Sequence, residues 1–183
     1  MNCPVCKSTE LARTDAETNL PAHDCPQCGG RWLRGREYWQ WLGKHGPNLP
    51  ERTYLDAPPV ADADEVAKAC PECGFPMFRF KVGHGLAFGL DQCPGCKGIW
   101  FDRDEWAELK RRNLHDDINA VLTAPWQAQV TRAERVHRLR QVYERKFGAA
   151  DYEEIKRVRA WLDAHPRKHE LLAYLTDPDP YGL

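Results

Sequence analysis

No charge of one sign dominates this chain. Its 26 Lys and Arg oppose 27 Asp and Glu, a formal net charge of −1 over 183 residues. It therefore lacks the basic excess of a dedicated nucleic-acid binder. It has no run of 18 apolar residues, which excludes a transmembrane helix and gives no membrane role. The leading stretch Met1-Asn2-Cys3-Pro4-Val5-Cys6 has no apolar core, so no secretory signal is expected. There is no Ser/His/Asp grouping, no phosphate-cradling glycine loop and no paired-carboxylate signature. Catalysis has nothing to rest on, and no small-molecule substrate is apparent. With 42% hydrophobic and 29% charged residues, the composition suits a soluble folded chain. The length fits one ordinary domain or two or three small ones.

What is present is eight cysteines, at Cys3, Cys6, Cys25, Cys28, Cys70, Cys73, Cys93 and Cys96. They make four C-P-x-C pairs with none left over. A disulfide framework needs an oxidising compartment and scatters its cysteines, so strict pairing disfavours it. A thioredoxin-like motif would be a single pair in a βαβ pattern. Two thiolates three positions apart converge on one metal ion. The pairs also repeat. Cys3 maps to Cys70 at an offset of 67, and Cys25, Gly30, Trp32 and Glu37 map to Cys93, Gly98, Trp100 and Glu105 at 68. The simplest arrangement is two self-contained units, the first site from Cys3, Cys6, Cys25 and Cys28 and the second from Cys70, Cys73, Cys93 and Cys96. A cross-braced arrangement that shares ligands is the alternative. Zinc, two ions per chain, is the expected metal, with rubredoxin-type iron as the alternative, since tetrahedral thiolate sites select either.

In the first unit, Leu11–Thr14 and Leu20–Asp24 can pair as a hairpin. In the second, Met77–Val82 alternates, Gly83-His84-Gly85 turns and Leu86–Gln92 returns. Each second knuckle then leads through Trp32-Leu33 or Trp100-Phe101 into a short helix. Asp102 with Glu105 reads as a capping box, and Arg34 makes a weaker cap in the first copy. Residues 45–69 hold Pro47, Pro50, Pro58 and Pro59 with Asp56, Asp62, Asp64 and Glu65, and read as a linker ending in a short helix near Asp64–Ala69. Beyond residue 114 apolar residues recur at helical steps: Val130 to Phe147, Tyr152 to Leu162, and Leu171 to Leu175. Gly148 separates the first two helices and Pro166 fits the first turn of the third. The division expected is a first ribbon over 1–44, a linker over 45–69, a second ribbon over 70–113, a helical module over 114–176 and a loose tail over 177–183. The fold class is small metal-stabilised α+β: two tandem hairpin-plus-helix units followed by a C-terminal helical module. So small a unit leans on its metal, which supplies on the order of 10 kcal/mol of folding free energy in comparable zinc peptides.

The pattern C-P-x-C, about nineteen residues, then C-P-x-C-x-G-x-W-[L/F]-x-x-x-E resembles the transcription-factor-IIB-type zinc-ribbon family of bacterial proteins. It occurs as Cys3-Pro4-Val5-Cys6 with Cys25 to Glu37 and as Cys70-Pro71-Glu72-Cys73 with Cys93 to Glu105. The resemblance implies zinc ribbons with the eight cysteines as ligands. Where the family has Asp-x-Gly-Glu, the first copy reads Arg34-Gly35-Arg36-Glu37 and the second Asp102-Arg103-Asp104-Glu105, so the helix starts are expected to differ. J-protein chaperones carry C-x-x-C-x-G-x-G, and Trp32 and Trp100 depart from that last Gly.

Trp32 and Trp100 are expected as core over the metal sites, and Glu37 and Glu105 as helix caps. Trp39 and Trp41 stand two apart on a helix, so at least one is exposed or meets another module. His23 and His84 are expected at the surface. His165 and His169 have a four-residue metal spacing but only two ligands. Arg132, Arg135, Arg138, Arg140, Arg145 and Lys146 against Glu134 and Glu144 give 6 − 2 = +4 across one helix. The favoured reading is a solvated face. Arg132, Arg135, Arg138 and Arg140 are the candidates for nucleic acid or an acidic partner. The function expected is that of a cytoplasmic, zinc-binding, non-enzymatic interaction protein, transcription-associated, with protein partners ahead of nucleic acid. The alternatives are a sequence-independent nucleic-acid binder through residues 132–146 and a thiol-based redox or zinc sensor or holdase.

Overall fold

The computed structural model describes residues 1–45 and 67–182. The prolines and acids of the expected linker lie outside the described residues, as does the start of its short helix. Ala69, at the end of that stretch, is not helical and forms an antiparallel bridge with Pro76.

Each repeat builds a hairpin and then one more short strand. In the first, β1 (Ala12–Glu17) and β2 (Leu20–Asp24) pair antiparallel, and β3 (Arg31–Leu33) adds to β2. Helix α1 (Gly35–His45) follows. In the second, β4 (Phe78–Gly83) pairs with β5 (Leu86–Gln92), and β6 (Ile99–Phe101) adds to β5 ahead of α2 (Glu105–Arg111). The β4–β5 turn falls at His84 and Gly85, with φ of 54° and 80°. Two successive left-handed residues match the twist of the strands they join.

The third strands change the architecture. β3 and β6 pair with each other, with Trp32 opposite Trp100, Arg31 opposite Phe101 and Leu33 opposite Ile99. The two hairpins thereby fuse into one six-stranded sheet of order β1-β2-β3-β6-β5-β4. The self-contained units expected from the duplication are thus halves of one sheet. The physical reason is the edge. A lone three-stranded unit would leave the backbone of its last strand unpaired, and each repeat satisfies that edge with the other. On one face Leu20, Leu33, Tyr38, Phe88, Leu90, Ile99, Phe101 and Leu109 make the main core. On the other, Trp32 and Trp100 cluster with Leu11, Met77 and the cysteines of both repeats.

The compact unit does not stop at 113; it extends through Thr131. Leu114, Ile118 and Val121, the last two on the short helix α3 (Ile118–Val121), are buried in the main core. The start of α4 (Ala124–Phe147) is held by the Trp126 indole N–H, which donates to the Val82 carbonyl at 2.9 Å, and by Trp126 stacking on His84. Residues 114–131 therefore belong with the sheet rather than with a separate helical module. The second unit runs from Arg132 to the C-terminus and holds the rest of α4, α5 (Ala149–Ala164) and α6 (Lys168–Thr176). Gly148, at φ 82° and ψ 153°, separates α4 from α5. Pro166 precedes α6 by two residues rather than opening it.

Candidate metal centres

The four knuckles share one turn. In each, the residue after the second cysteine donates its N–H to the first cysteine's carbonyl: Lys7 to Cys3, Gly29 to Cys25, Gly74 to Cys70 and Lys97 to Cys93, at 2.9–3.0 Å. All four donors have φ between 61° and 76°. This left-handed residue folds the chain back so that the two sulfurs of a knuckle face the same point. Backbone amides then reach the sulfurs, as in Cys6 N–H to Cys3 Sγ at 3.3 Å and Glu72 N–H to Cys70 Sγ at 3.4 Å.

The sulfurs of Cys3, Cys6, Cys25 and Cys28 lie within 4.8 Å of one another, and so do those of Cys70, Cys73, Cys93 and Cys96. Four thiolates at about 2.3 Å from a tetrahedral zinc stand about 3.8 Å apart. The sulfur pairs Cys3–Cys28 at 3.6 Å, Cys6–Cys25 at 3.9 Å, Cys70–Cys96 at 3.5 Å and Cys73–Cys93 at 3.3 Å fit that size. Each repeat closes its own quartet, so the cross-braced alternative is not the one formed. Burial pushes Cys28 and Cys96 up, while the Phe75 amide holds Cys73 down to about 7. Crowded thiols cannot all ionise unaided, and a divalent ion supplies the missing positive charge. The two quartets suit two zinc ions.

The residues around the quartets tie the repeats together. A Cβ on Gly98 would lie 2.1 Å from Cζ2 of Trp32, and a Cβ on Gly30 would lie 2.1 Å from Cζ2 of Trp100. Each Trp thus covers the bare glycine of the opposite repeat, and both are fully buried. Arg103 donates to the Cys28 carbonyl at 2.9 Å, and Arg34 pairs with Glu72 in the first knuckle of the second repeat. Trp32 and Trp100 are core, as expected, but core shared between two sites.

A buried ionic cluster sits in the second repeat, and sequence reasoning missed its centre. Lys68, assigned to the linker, donates to Asp91 at 2.8 Å and to Asp102 at 2.9 Å. Trp100 Nε1 also donates to Asp102, at 2.8 Å. Asp102 is therefore not the N-cap of α2; that position is Asp104, in a left-handed conformation. Glu105 keeps half of the expected box by accepting the Asp102 N–H at 2.8 Å. In the first repeat Arg34 stands where Asp102 does, and Trp32 Nε1 has no acceptor. Glu37 makes a long ion pair with Arg34 at 3.6 Å instead of a cap.

Glu105 is 1% exposed, and burial together with the Asp102 charge pushes it up to about 8. A carboxyl raised in the folded state binds more protons there than in the unfolded chain. Its contribution to stability is therefore full below the ordinary carboxylate range and is lost as pH rises towards 8. We expect Glu105→Gln to be increasingly more stable than wild type from pH 6 to pH 8, measured by urea unfolding of the zinc-loaded protein. A difference that is flat with pH would mean that Glu105 stays ionised throughout.

The remaining candidates are scattered. Arg132, Arg135, Arg138 and Arg140 are all exposed on α4. At about 100° per residue, Arg138 and Arg140 point to opposite sides, so the four make no single basic face. His165 lies against Trp161, and its Nδ1 accepts the Arg167 N–H at 3.1 Å. His84 is exposed as expected, whereas His23 is partly buried with an unpartnered Nδ1. Burial, and then the Arg34 guanidinium, hold His23 below its usual value. Trp39 is partly exposed and Trp41 is buried.

The family described as transcription factor zinc-finger matches residues 2–44 and 69–112. The match takes in both ribbons. The matched segments end where α1 and α2 end, so the family accounts for the sheet and its two sites and not for residues 114–182. No curated protein and no solved structure matches the chain. The zinc ribbons take all four ligands from protein, which makes the metal structural. No helix among the described residues is long and apolar enough to cross a membrane.

Proposed function

We propose that this is a cytoplasmic, non-enzymatic interaction protein, transcription-associated, whose two zinc ribbons form a rigid plate for a protein partner. The observation that carries this reading is the closed four-cysteine donor set of each site, which leaves no ligand position for a substrate. Thiolate ligation also belongs to a reducing compartment. The fused sheet gives a partner a fixed surface, and Phe78 at the start of β4 and Phe75 beside the second ribbon's knuckles are 59% and 57% exposed. Exposed aromatics of this kind anchor protein interfaces.

Charge favours protein over nucleic acid. The count of −1 treats the cysteines as neutral. Eight thiolates and two divalent ions add −8 + 4 = −4, which brings the loaded chain to about −5. Titrating the zinc-loaded protein against random-sequence duplex DNA and single-stranded RNA is expected to give weak binding at low salt that vanishes at moderate salt. Cross-linking in the native host is expected to yield a protein partner, and less of it from a Phe75→Ala, Phe78→Ala variant. Tight, salt-dependent binding that disappears when Arg132, Arg135, Arg138 and Arg140 become Ala would put nucleic acid first.

A further inference from the structure

The segment Arg132–Gly182 holds three helical stretches and, among its described residues, a single buried side chain, Leu162. Eleven of the fourteen exposed large hydrophobics of the described chain lie in it. On α4, Val136, Leu139, Tyr143 and Phe147 fall within about 80° of one another around the helix, and each is 42–55% exposed. On α5, Ile155, Val158 and Leu162 share a second stripe, with the exposed Trp161 at its flank. Tyr143 stacks on Phe147 and Tyr152 at the Gly148 joint, and the α4 stripe together with Ile155, Val158 and Trp161 of α5 stays exposed, Leu162 being covered. One buried side chain cannot offset the entropy of ordering some fifty residues, so these helices need a cover.

We propose that the cover is a second copy of the chain, with α4 and α5 of each copy closing into a four-helix bundle. Charge sets the arrangement. Residues 132–146 carry 6 − 2 = +4, whereas α5, the other helix of the bundle, carries 3 − 4 = −1. Side-by-side packing of two α4 helices would oppose like charges. Alternation puts each α4 between two α5 helices and sets the +4 segments on the diagonal. On α5, Glu153 pairs with Lys156 at 2.8 Å and Glu154 with Arg157 at 2.5 Å, and Asp163 reaches Lys168 of α6 at 2.6 Å, whereas among the described residues no ion pair neutralises Asp151 or any of Arg132, Arg135, Arg138 and Arg140. The area is also of the right size. Seven large apolar side chains, averaging about 90 Å² exposed, give about 600 Å² per copy, and the flanking Arg stems bring this near the ~800 Å² per partner of a stable interface. This association is independent of what the ribbons bind.

The test is sedimentation equilibrium on the full zinc-loaded chain. A mass of twice 21.1 kDa is expected at micromolar concentration. Leu139→Asp with Ile155→Asp should weaken the dimer by at least about 100-fold and return the mass to that of one chain, with two zinc ions still bound. Trp161→Ala, which adds no charge, should weaken it by about tenfold. A single-chain mass up to about 100 μM would overturn the proposal. So would a dimer that the double Asp variant leaves intact, or a wild type that gains mass only with another protein or with nucleic acid.

Discussion

Alanine at Gly98 is expected to destabilise the zinc-loaded protein by about 3 kcal/mol, at the upper end for overpacking a core with one added methyl. The new Cβ would meet Trp32 at 2.1, 2.5 and 2.9 Å, and Trp32 is fully buried with nowhere to move. Gly98 does not have a positive φ, so the effect is steric contact rather than backbone strain. Gly30→Ala should behave alike, because Trp100 stands over it at 2.1 Å. Gly43 on α1 is the control. A Cβ there meets nothing within 4 Å, and alanine in a helix gains about 0.5–1 kcal/mol over glycine. Urea unfolding followed by tryptophan fluorescence reports all three, since Trp32 and Trp100 sit at the junction. Wild-type stability in Gly98→Ala would mean that β3 and β6 do not pair in solution and that the ribbons stand apart.

That junction shows where sequence reasoning ran out. The eight ligands were legible because a knuckle is local: two cysteines three apart and one left-handed residue decide it. The hairpins were legible from alternation and from turn residues such as Gly83-His84-Gly85. A strand of three residues, by contrast, has no period to detect, so Trp32-Leu33 and Trp100-Phe101 read only as lead-ins to helices. Their pairing is a long-range edge-to-edge contact that neither copy encodes alone. The trace was there in the repeated Gly-x-Trp at residues 30–32 and 98–100, a bare position and a large ring recurring together. Lys68 was hidden for a related reason. Its partners Asp91 and Asp102 are 23 and 34 residues away, and a lone Lys beside a Pro-rich stretch looks like linker. Residues 114–131 were grouped with the helices because no periodic run precedes Val130, and isolated apolar residues such as Leu114, Ile118 and Val121 do not announce what they pack against.

Cys25→Ser is the sharpest test of how far the fused sheet couples the two metals. It removes one of four ligands and should empty the first site. If each ribbon were self-contained, the second zinc would be held as in wild type. The geometry predicts otherwise. Without its ion the first ribbon loses the closure that holds Cys25 and Cys28 ahead of β3, and with it the strand that pairs with β6. Trp32 no longer covers Gly98, five residues after Cys93 and two after Cys96. Arg103 also loses the Cys28 carbonyl that anchors it beside α2. These contacts make the second site dependent on the first by a coupling of about 1–3 kcal/mol, or roughly 5–150-fold in affinity. Elemental analysis should therefore find two zinc ions per wild-type chain and one per Cys25→Ser chain. A competing chelator should then strip that remaining ion at a concentration about tenfold or more below the one wild type requires, a shift inside the same coupling range. Cys93→Ser should mirror the effect on the first site, since coupling is reciprocal. A remaining ion held with wild-type affinity in both variants would show that the shared sheet carries no free energy between the sites, and that the linker alone joins them.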